Sequence, residues 1–328
     1  MQEPIRVLQV LTRMNRGGAE TMIMNYYRNM DRTKVQFDFL LHRTERGIFD
    51  DEIESLGGKI HRLTNIDFAR IPKYLKALNH FFDNHNDYKI VHSHINALSV
   101  FVLKAARKHD IPMRIAHSHT SLYSLNLNPF SKERHSRKFI FKFTVQNILK
   151  SRIPKNANYY FSCGEKAGDW LFGLKNKSKV KLVNNAIDTD KFIYQEERSL
   201  KAKKALNLQD KIVIGHVGNF VPEKNHVFMV KVYNEIRKLN PNTALVLVGP
   251  HDPDLIKLTG KELPDHLKVL GSRNDVPDLL MAMDIFLFPS TNEGLPVTLI
   301  EAQASGLKIK ASANITKELK MTDLIEFI

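Results

Sequence analysis

The chain has 328 residues, 43% of them hydrophobic, with 49 Lys and Arg against 35 Asp and Glu and a formal charge of +14. That length exceeds one ordinary core and suits two α/β domains. Cys163 is the only cysteine, which excludes an intrachain disulfide or a cysteine-rich zinc site and fits a reducing cytoplasm, with Cys163 expected to pack in the interior. Apolar stretches such as DIFLFP and IVIGHV fall far short of the roughly 18 residues a membrane span needs, and MQEPIRVLQVL lacks a signal-peptide layout. The expectation is neither membrane insertion nor secretion. The charge is uneven: 33 Lys and Arg face 20 Asp and Glu up to Leu200, and 16 face 15 from Lys201 onward. No zinc-finger, helix-turn-helix or RNA-recognition signature accompanies the excess, so nucleic acid is not the expected partner; an anionic membrane surface accounts for it better.

In chain order, IRVLQVL reads as a buried strand, TRMNRGG as a loop, and the stretch from about Ala19 to Met30 as a helix. FDFLLH, KIHRL, KIVHSHI and RIAHSHT follow as short strands separated by helical stretches such as PKYLKALNHFFDNH and ALSVFVLKAARKHD. This alternation implies a parallel sheet covered on both faces. ANYYFSCG and KVKLVNNAI add strands. The polar interval TDKFIYQEERSLKAKKALNLQDK, with one helical pattern, reads as the entry to a second domain, giving a division into 1–190 and 191–328. The same grammar then restarts: KIVIGHVGNF as strand and loop, NHVFMVKVYNEIRKLN as helix, TALVLVG and HLKVLG as strands, VPDLLMAM as helix, and DIFLFPS as strand. The predicted fold class is α/β, with two Rossmann-like doubly wound domains facing each other across a ligand cleft at the carboxyl ends of their strands.

The segment FLFPSTNEGLPVTLIEAQA is the most informative in the chain. It reads as a buried strand, a turn and a helix from about Pro296 toward Ser305, with Pro296 at a first helical position. The Gly294–Val297 amides and the positive end of that helix suit an anion, and Gly294 lets the backbone come close. Glu293 lies before the helix and Glu301 within it, where Leu299, Ile300, Ala302 and Ala304 mark a largely buried surface; a carboxylate there wants a hydrogen-bonding ligand. Diol ends and a pyrophosphate middle fit this layout, so a sugar nucleotide is the expected ligand. The bland reading is a dipole partner and a solvated helix residue.

Gly17 and Gly18 sit between the first strand and helix, where backbone can approach a phosphate or sugar; a turn without a ligand is the alternative. Neither this loop nor GHVGNF is GxGxxG, which removes the main support for a nicotinamide dehydrogenase. Lys224 follows the first strand of the second domain and can set an ammonium against a diphosphate, or be an ordinary surface lysine. His92, His94, His117 and His119 form two His-Ser-His triplets at strand ends. Alternate strand residues share one face, but no carboxylate or thiol accompanies them, so no metal is assigned and the readings are core histidines or one cleft histidine. From Lys132 to Lys155 eight Lys and Arg face one acid, Glu133, with Phe139, Ile140, Phe141, Phe143, Ile148 and Leu149 interspersed. This reads either as an interfacial helix on anionic lipid or as a core helix with a basic face.

EGLPVTLIE resembles the Glu-x7-Glu signature of retaining family 4 glycosyltransferases, two-domain enzymes of the GT-B fold. GGAETMIMNYYRNMD, CGEKAGDWLFG, NNAIDTDKF, IGHVGNFVPEKNH and GSRNDVPDLLMAMDIFLFPS are similar to family segments in the family's order, in the branch that builds bacterial capsules and exopolysaccharides. The resemblance implies a metal-independent transfer, with no cofactor, from a nucleoside-diphosphate sugar to a glycan or lipid-linked acceptor at the inner face of the cell membrane. It also implies donor binding by Gly17, Gly18, Asn219, Lys224, Gly294, Leu295, Pro296, Val297 and Glu301, with Glu293 and His119 at the reacting sugar. Asn219 departs from the pattern: arginine is common there, so weakened donor binding is expected unless a cation such as Arg273 compensates. Family members generally continue past the region matching ITKEL, whereas this sequence stops at DLIEFI, which implies an incomplete second domain. The alternatives are a sugar-nucleotide 2-epimerase, which shares the architecture, and a degenerate transferase that binds without turnover.

Overall fold

The computed structural model describes residues 3–120, 137–250 and 266–328, with the side chains of 137–139 and 141–142 excepted. It divides into two compact units, Met1–Ala186 and Ile187–Ile328. The change from the expected 190 has a local cause. The carbonyls of Asn184 and Ala186 accept hydrogen bonds from Tyr26 Oη (2.7 Å) and Asn25 Nδ2 (2.9 Å), tying the chain to the first unit as far as Ala186.

In the first unit, β1 (Ile5–Leu11), β2 (Val35–Leu41), β3 (Ile60–Arg62), β4 (Ile90–Ser93), β5 (Met113–Ser118), β6 (Tyr159–Ser162) and β7 (Val180–Leu182) form one sheet in the order β3-β2-β1-β4-β5-β6-β7. All its pairings are parallel. Leu8, Val10, Leu40 and Val91 pack on one face against Tyr74, Leu78 and Phe82 of the helix Ile71–Asn84 and Val102 and Leu103 of the helix Ser99–Lys108. Leu11, Phe39 and Leu41 pack on the other against Met22, Ile23 and Tyr27 of the helix Gly18–Asn29. A strand buried on both faces is mostly apolar rather than alternating, which is why β1 reads as a buried strand despite Arg6 and Gln9. The helix Ile71–Asn84 buries Tyr74, Leu78, Phe81 and Phe82, the i, i+4, i+7, i+8 stripe of a helix lying on a core.

The second unit contains β8 (Ile212–Val217), β9 (Thr243–Val248), β10 (Leu267–Val269), β11 (Ile285–Phe288), β12 (Lys308–Ala311) and β13 (Ile325–Phe327), in the order β10-β9-β8-β11-β12-β13. Its pairings are also parallel. The helix His226–Leu239 lays Met229, Val230 and Tyr233 against Ile214, Leu245 and Leu247. In both sheets the first strand of the unit lies between a strand that follows it directly and one that comes later. The β1/β4 and β8/β11 pairs are therefore the points where strand order reverses, and loops diverge there at the carboxyl ends to leave room for a ligand.

Candidate active site

In the second unit the reversal point is built from the loop after β8 and the loop after β11. Thr291 N–H donates to Glu223 O at 2.9 Å and ties the two loops together. Lys224 Nζ lies 2.8 Å from Glu293 Oε1, the two side chains being 14% and 15% exposed. The ammonium also sits 4.5 Å above the Phe288 ring, an electrostatically favourable position. Gly218 makes room for the lysine stem: a Cβ there would come within 3.2 Å of Lys224 Cε and 2.9 Å of His216 Nε2. Two of the residues singled out from sequence are thus brought into one half-buried ion pair.

Beneath the pair lies a nest that sequence reading missed. His216 is fully buried; its Nδ1 donates to Leu287 O at 2.9 Å, so its Nε2 carries the lone pair, and that atom has no partner. Burial, reinforced by Lys224 and His226, keeps its pKa well below the ordinary 6.5. His226 stacks on Phe220 (centroids 4.1 Å apart) and is held at about 4 by burial and Lys224. Neutral imidazoles place no second positive charge under the ammonium. The signal for them was present in GHVGNFVPEKNH, where two histidines flank the lysine loop.

The helix after β11 runs over Val297–Ala304, with Pro296 as its N-cap residue (φ −65°, ψ 119°) rather than its first helical residue. The extended ψ turns the chain out of the helix, so the helix starts one residue later than expected. Leu295 and Val297 are 6% and 5% exposed, so their side chains belong to the core and only their backbones can serve a ligand. Ser290 Oγ and Thr298 Oγ1, on either side of the turn, are buried without partners. Glu301 is partly buried, and burial pushes its carboxyl up to about 7. No hydrogen bond or ion pair engages it among the described residues. Asn219 is exposed, and Arg273 donates to its own neighbour Asp275 at 2.8 and 2.5 Å, which takes up the charge that would replace a missing arginine.

In the first unit Gly17 is the N-cap of the helix Gly18–Asn29, and Gly18 is exposed at its first position. A Cβ on Gly17 would lie 2.2 Å from Glu20 Oε2, so the glycine accommodates that carboxylate. Burial pushes Glu20 up to about 7 as well. It was not singled out from sequence, although the GGAE tetrad contained it. At the ends of β4 and β5 the four histidines form a two-by-two array. His92 Nε2 lies 3.1 Å from His117 Nδ1, and His94 Nδ1 lies 2.8 Å from His119 Nε2. Gln9 Oε1, on β1, is 2.8 Å from His94 Nε2. Ligand nitrogens of His92, His94 and His117 lie within 4.8 Å of one another, close enough to be drawn onto an ion. Both nitrogens of His94, His92 Nε2 and His117 Nδ1 are, however, engaged in these contacts, and His117 Nε2 is buried and unpartnered. Burial lowers all four pKa values, to about 3 for His92 and His119, so the array is neutral. Cys163 is buried, and its Sγ donates to His119 O at 3.4 Å.

The basic stretch falls partly outside the described residues, which exclude Lys132, Glu133 and Arg134. Its helix, Arg137–Lys150, sends Leu149 into the core while Ile140 and Ile148 are 44% and 50% exposed. Lys150 Nζ lies 5.1 Å from the Trp170 ring. Among the described residues no helix is long and apolar enough to cross a membrane.

Residues 16–191 match the family model described as Glycosyltransferase Family 4, and residues 197–316 match that of Glycosyl transferases group 1. The chain is 35% identical to a Bacillus subtilis protein named glycosyltransferase EpsF, over 96% of this chain and 80% of that one. It is 30% identical to the capsular polysaccharide biosynthesis glycosyltransferase CapH of Staphylococcus aureus, over 91% and 78%. It is 28% identical to the UDP-Gal:alpha-D-GlcNAc-diphosphoundecaprenol alpha-1,3-galactosyltransferase of Escherichia coli, over 67% and 56%. Among solved structures, Anabaena Alr3699/HepE in complex with UDP-glucose superimposes with a TM-score of 0.75 at 16% identity, covering 98% of this chain and 85% of that one. The matched segments, the two parallel sheets and the shared architecture agree: the chain belongs to glycosyltransferase family 4 and is a glycosyltransferase of the GT-B fold.

Proposed function

We propose that the enzyme moves a sugar from a nucleoside-diphosphate donor to a lipid-linked glycan acceptor in surface polysaccharide synthesis, with retention at the anomeric carbon and without a metal. The observation that carries this reading is the Lys224–Glu293 pair at the strand-order reversal, beside the Gly294–Val297 turn. An arriving diphosphate competes with the carboxylate for Lys224 and frees Glu293 to accept hydrogen bonds from sugar hydroxyls. Lys224 and the turn amides then stabilise the leaving nucleoside diphosphate as its charge develops. Glu301 accepts from the ribose diol, Asn219 adds a neutral contact near the diphosphate, Gly17 and Gly18 let backbone approach, and His119 meets the donor sugar. In the same-face reaction the anomeric carbon's bond to phosphate oxygen breaks, its bond to the acceptor oxygen forms, and the acceptor proton passes to a donor phosphate oxygen.

The Escherichia coli relative is named for a UDP-sugar and a diphosphoundecaprenol acceptor, and the capsular relative for polysaccharide synthesis; both names support these classes here. The basic first part of the chain supports work at the inner, anionic face of the cell membrane. The test incubates the purified chain with a panel of UDP- and GDP-sugars, with and without bacterial lipid extract, and measures nucleoside diphosphate release and product configuration. Release stimulated by lipid, with a retained anomer, is expected. Donor binding without release, or a 2-epimerised donor without acceptor, would overturn the reading. Flotation with anionic liposomes should be lost when Arg137, Lys138 and Lys142 become glutamate; binding indifferent to these changes removes the membrane proposal.

A further inference from the structure

Three side chains of the first unit form a directional chain: Gln9 Oε1 to His94 Nε2 at 2.8 Å, then His94 Nδ1 to His119 Nε2 at 2.8 Å. We propose that Gln9 and His94 are positioning residues that set the tautomer of His119, so that its Nδ1 is presented to the donor sugar as a hydrogen-bond acceptor. The proposal deepens the functional reading above and rests on its assignment of His119 to the donor.

An amide oxygen can only accept, so His94 must carry its proton on Nε2. Both imidazoles are neutral, because each is packed among the other rings of the array and desolvation lowers its pKa, His94 being buried and His119 half-buried. A neutral imidazole has one proton, so His94 Nδ1 is a lone pair and the proton between the rings belongs to His119 Nε2. His119 Nδ1 is then also a lone pair, and it has no partner among the described residues.

The surroundings hold this direction. Gln9 is 2% exposed on the central strand, aligned with His92 in the β1–β4 register, which puts it on the face of β4 that carries His94. His92 and His94 rings lie 4.1 Å apart and those of His117 and His119 4.2 Å apart, so the second pair packs on the first. In that second pair His117 Nε2 is buried and unpartnered. An orphan lone pair is cheaper than an orphan N–H, so His117 donates from Nδ1 to His92. The backbone of His119 is fixed too, its N–H donating to Asn96 Oδ1 at 3.2 Å and its carbonyl accepting from Cys163 Sγ at 3.4 Å. Reversing the Gln9 amide would reverse every step and leave His119 with a proton on Nδ1, a donor where the proposal requires an acceptor. The two arrangements are therefore experimentally distinct.

The experiment uses the full chain labelled with 15N in its histidine rings, and reads from two-bond proton–nitrogen correlations which nitrogen of His119 is protonated. Protonation on Nε2 is expected in the wild type; a proton on Nδ1 overturns the proposal, whether or not any variant folds. In Gln9→Met the acceptor is gone at similar volume, and His94 and His119 should each populate both tautomers. In Gln9→Glu an acceptor oxygen returns, and the single tautomer should return with it. An unmoved tautomer in Gln9→Met overturns the relay. With UDP-glucose as probe, Gln9→Met should lower kcat/KM about tenfold, the loss of one well-placed hydrogen bond, and Gln9→Glu should recover it. Tautomers that move while turnover stays at the wild-type level overturn the positioning role. A wild-type chain that does not turn over UDP-glucose excludes that sugar nucleotide alone, the kinetics then being read with the donor that the panel identifies, and the spectra still decide the relay.

Discussion

Glu301 gives the sharpest test of the donor site, because its burial and its proposed role pull in opposite directions. Its carboxyl is pushed up by desolvation from 4.5 to about 7, with no charged partner among the described residues to bring it back. Accepting from both hydroxyls of a ribose diol at once favours the ionised form, whose two oxygens are both free to accept. If only that form binds, affinity follows the ionised fraction: about nine tenths at pH 8, about half at pH 7 and about a tenth at pH 6, a roughly tenfold loss. The stability sign runs the other way. Between 4.5 and about 7 the unfolded chain has released the proton and the folded chain still holds it, so ionisation costs the fold nothing below pH 4.5 and its full penalty above pH 7. At ~1.4 kcal/mol per pKa unit that penalty is at most about 3.5 kcal/mol, and less because Glu301 keeps some contact with water. Glu301→Gln should therefore be more stable than wild type at pH 8 and equal at pH 4, while binding the donor weakly at every pH. The assays are isothermal titration with the nucleotide sugar at pH 6, 7 and 8, and urea unfolding at pH 4 and 8. In the titrations at pH 6 to 8 the four array histidines and His226 stay neutral in the folded chain; at pH 4 they are protonated once unfolded, which lowers the stability of wild type and Glu301→Gln alike and cancels in their difference. Glu20 shares the raised value of about 7, so a loss of donor affinity from pH 8 to pH 6 that persists in Glu301→Gln is assigned to it. Wild-type donor affinity in Glu301→Gln at pH 8 would refute the reasoning.

Lys224→Met should raise the donor KM by roughly 10- to 100-fold, the range for losing a hydrogen bond to a charged group; an unchanged KM in steady-state kinetics counts against a diphosphate contact. Asn219→Arg should tighten donor binding by a few-fold, on the order of 1 kcal/mol for one added charge-assisted contact, because Arg273 is occupied by Asp275. Unchanged affinity by titration would mean that the asparagine costs nothing. Gly249 has φ +156°, and a Cβ there would fall 2.0 Å from Gly218 O, a backbone atom that cannot swing aside. Gly249→Ala should cost about 2–4 kcal/mol in urea unfolding and should weaken donor binding through the Gly218 loop; a wild-type midpoint would contradict it.

Most strands announced themselves because parallel strands buried on both faces are largely apolar, with only isolated polar residues. β12 and β13 did not. KIKA alternates lysine with apolar residues and IEF is three residues at a sheet edge, so neither rises above its surroundings until pairing with β11 and with each other supplies the hydrogen bonds. The helices Asp50–Ser55 and Val297–Ala304 make the complementary point. The first is too short to show a period. The second buries Val297, Leu299, Ile300, Ala302 and Gln303 on more than one side, and it starts one residue later than expected because a proline can either open a helix or cap it.

The candidate site was legible where its chemistry is local and illegible where it is not. Glu293, Pro296 and Glu301 share a nine-residue stretch with one strand-to-helix junction, so spacing alone suggested a common purpose. Lys224 and Glu293 are 69 positions apart, and their ion pair depends on Thr291 reaching Glu223 across two loops. Gln9 is further still from His94, 85 positions, and a glutamine inside an apolar strand reads as a flaw in the run rather than a functional group. The two histidine triplets carried half of that information. Their alternate spacing fixed the face they share, but the role of each ring depends on which nitrogen holds the proton, and that is set by a neighbour on a strand that closes only after the sheet has formed. A buried amide is costly unless it is hydrogen-bonded. Gln9 on the central strand therefore implies a partner of the right polarity beside it, and an apolar strand interrupted by one glutamine at its carboxyl half is a signal to seek that partner at the reversal point.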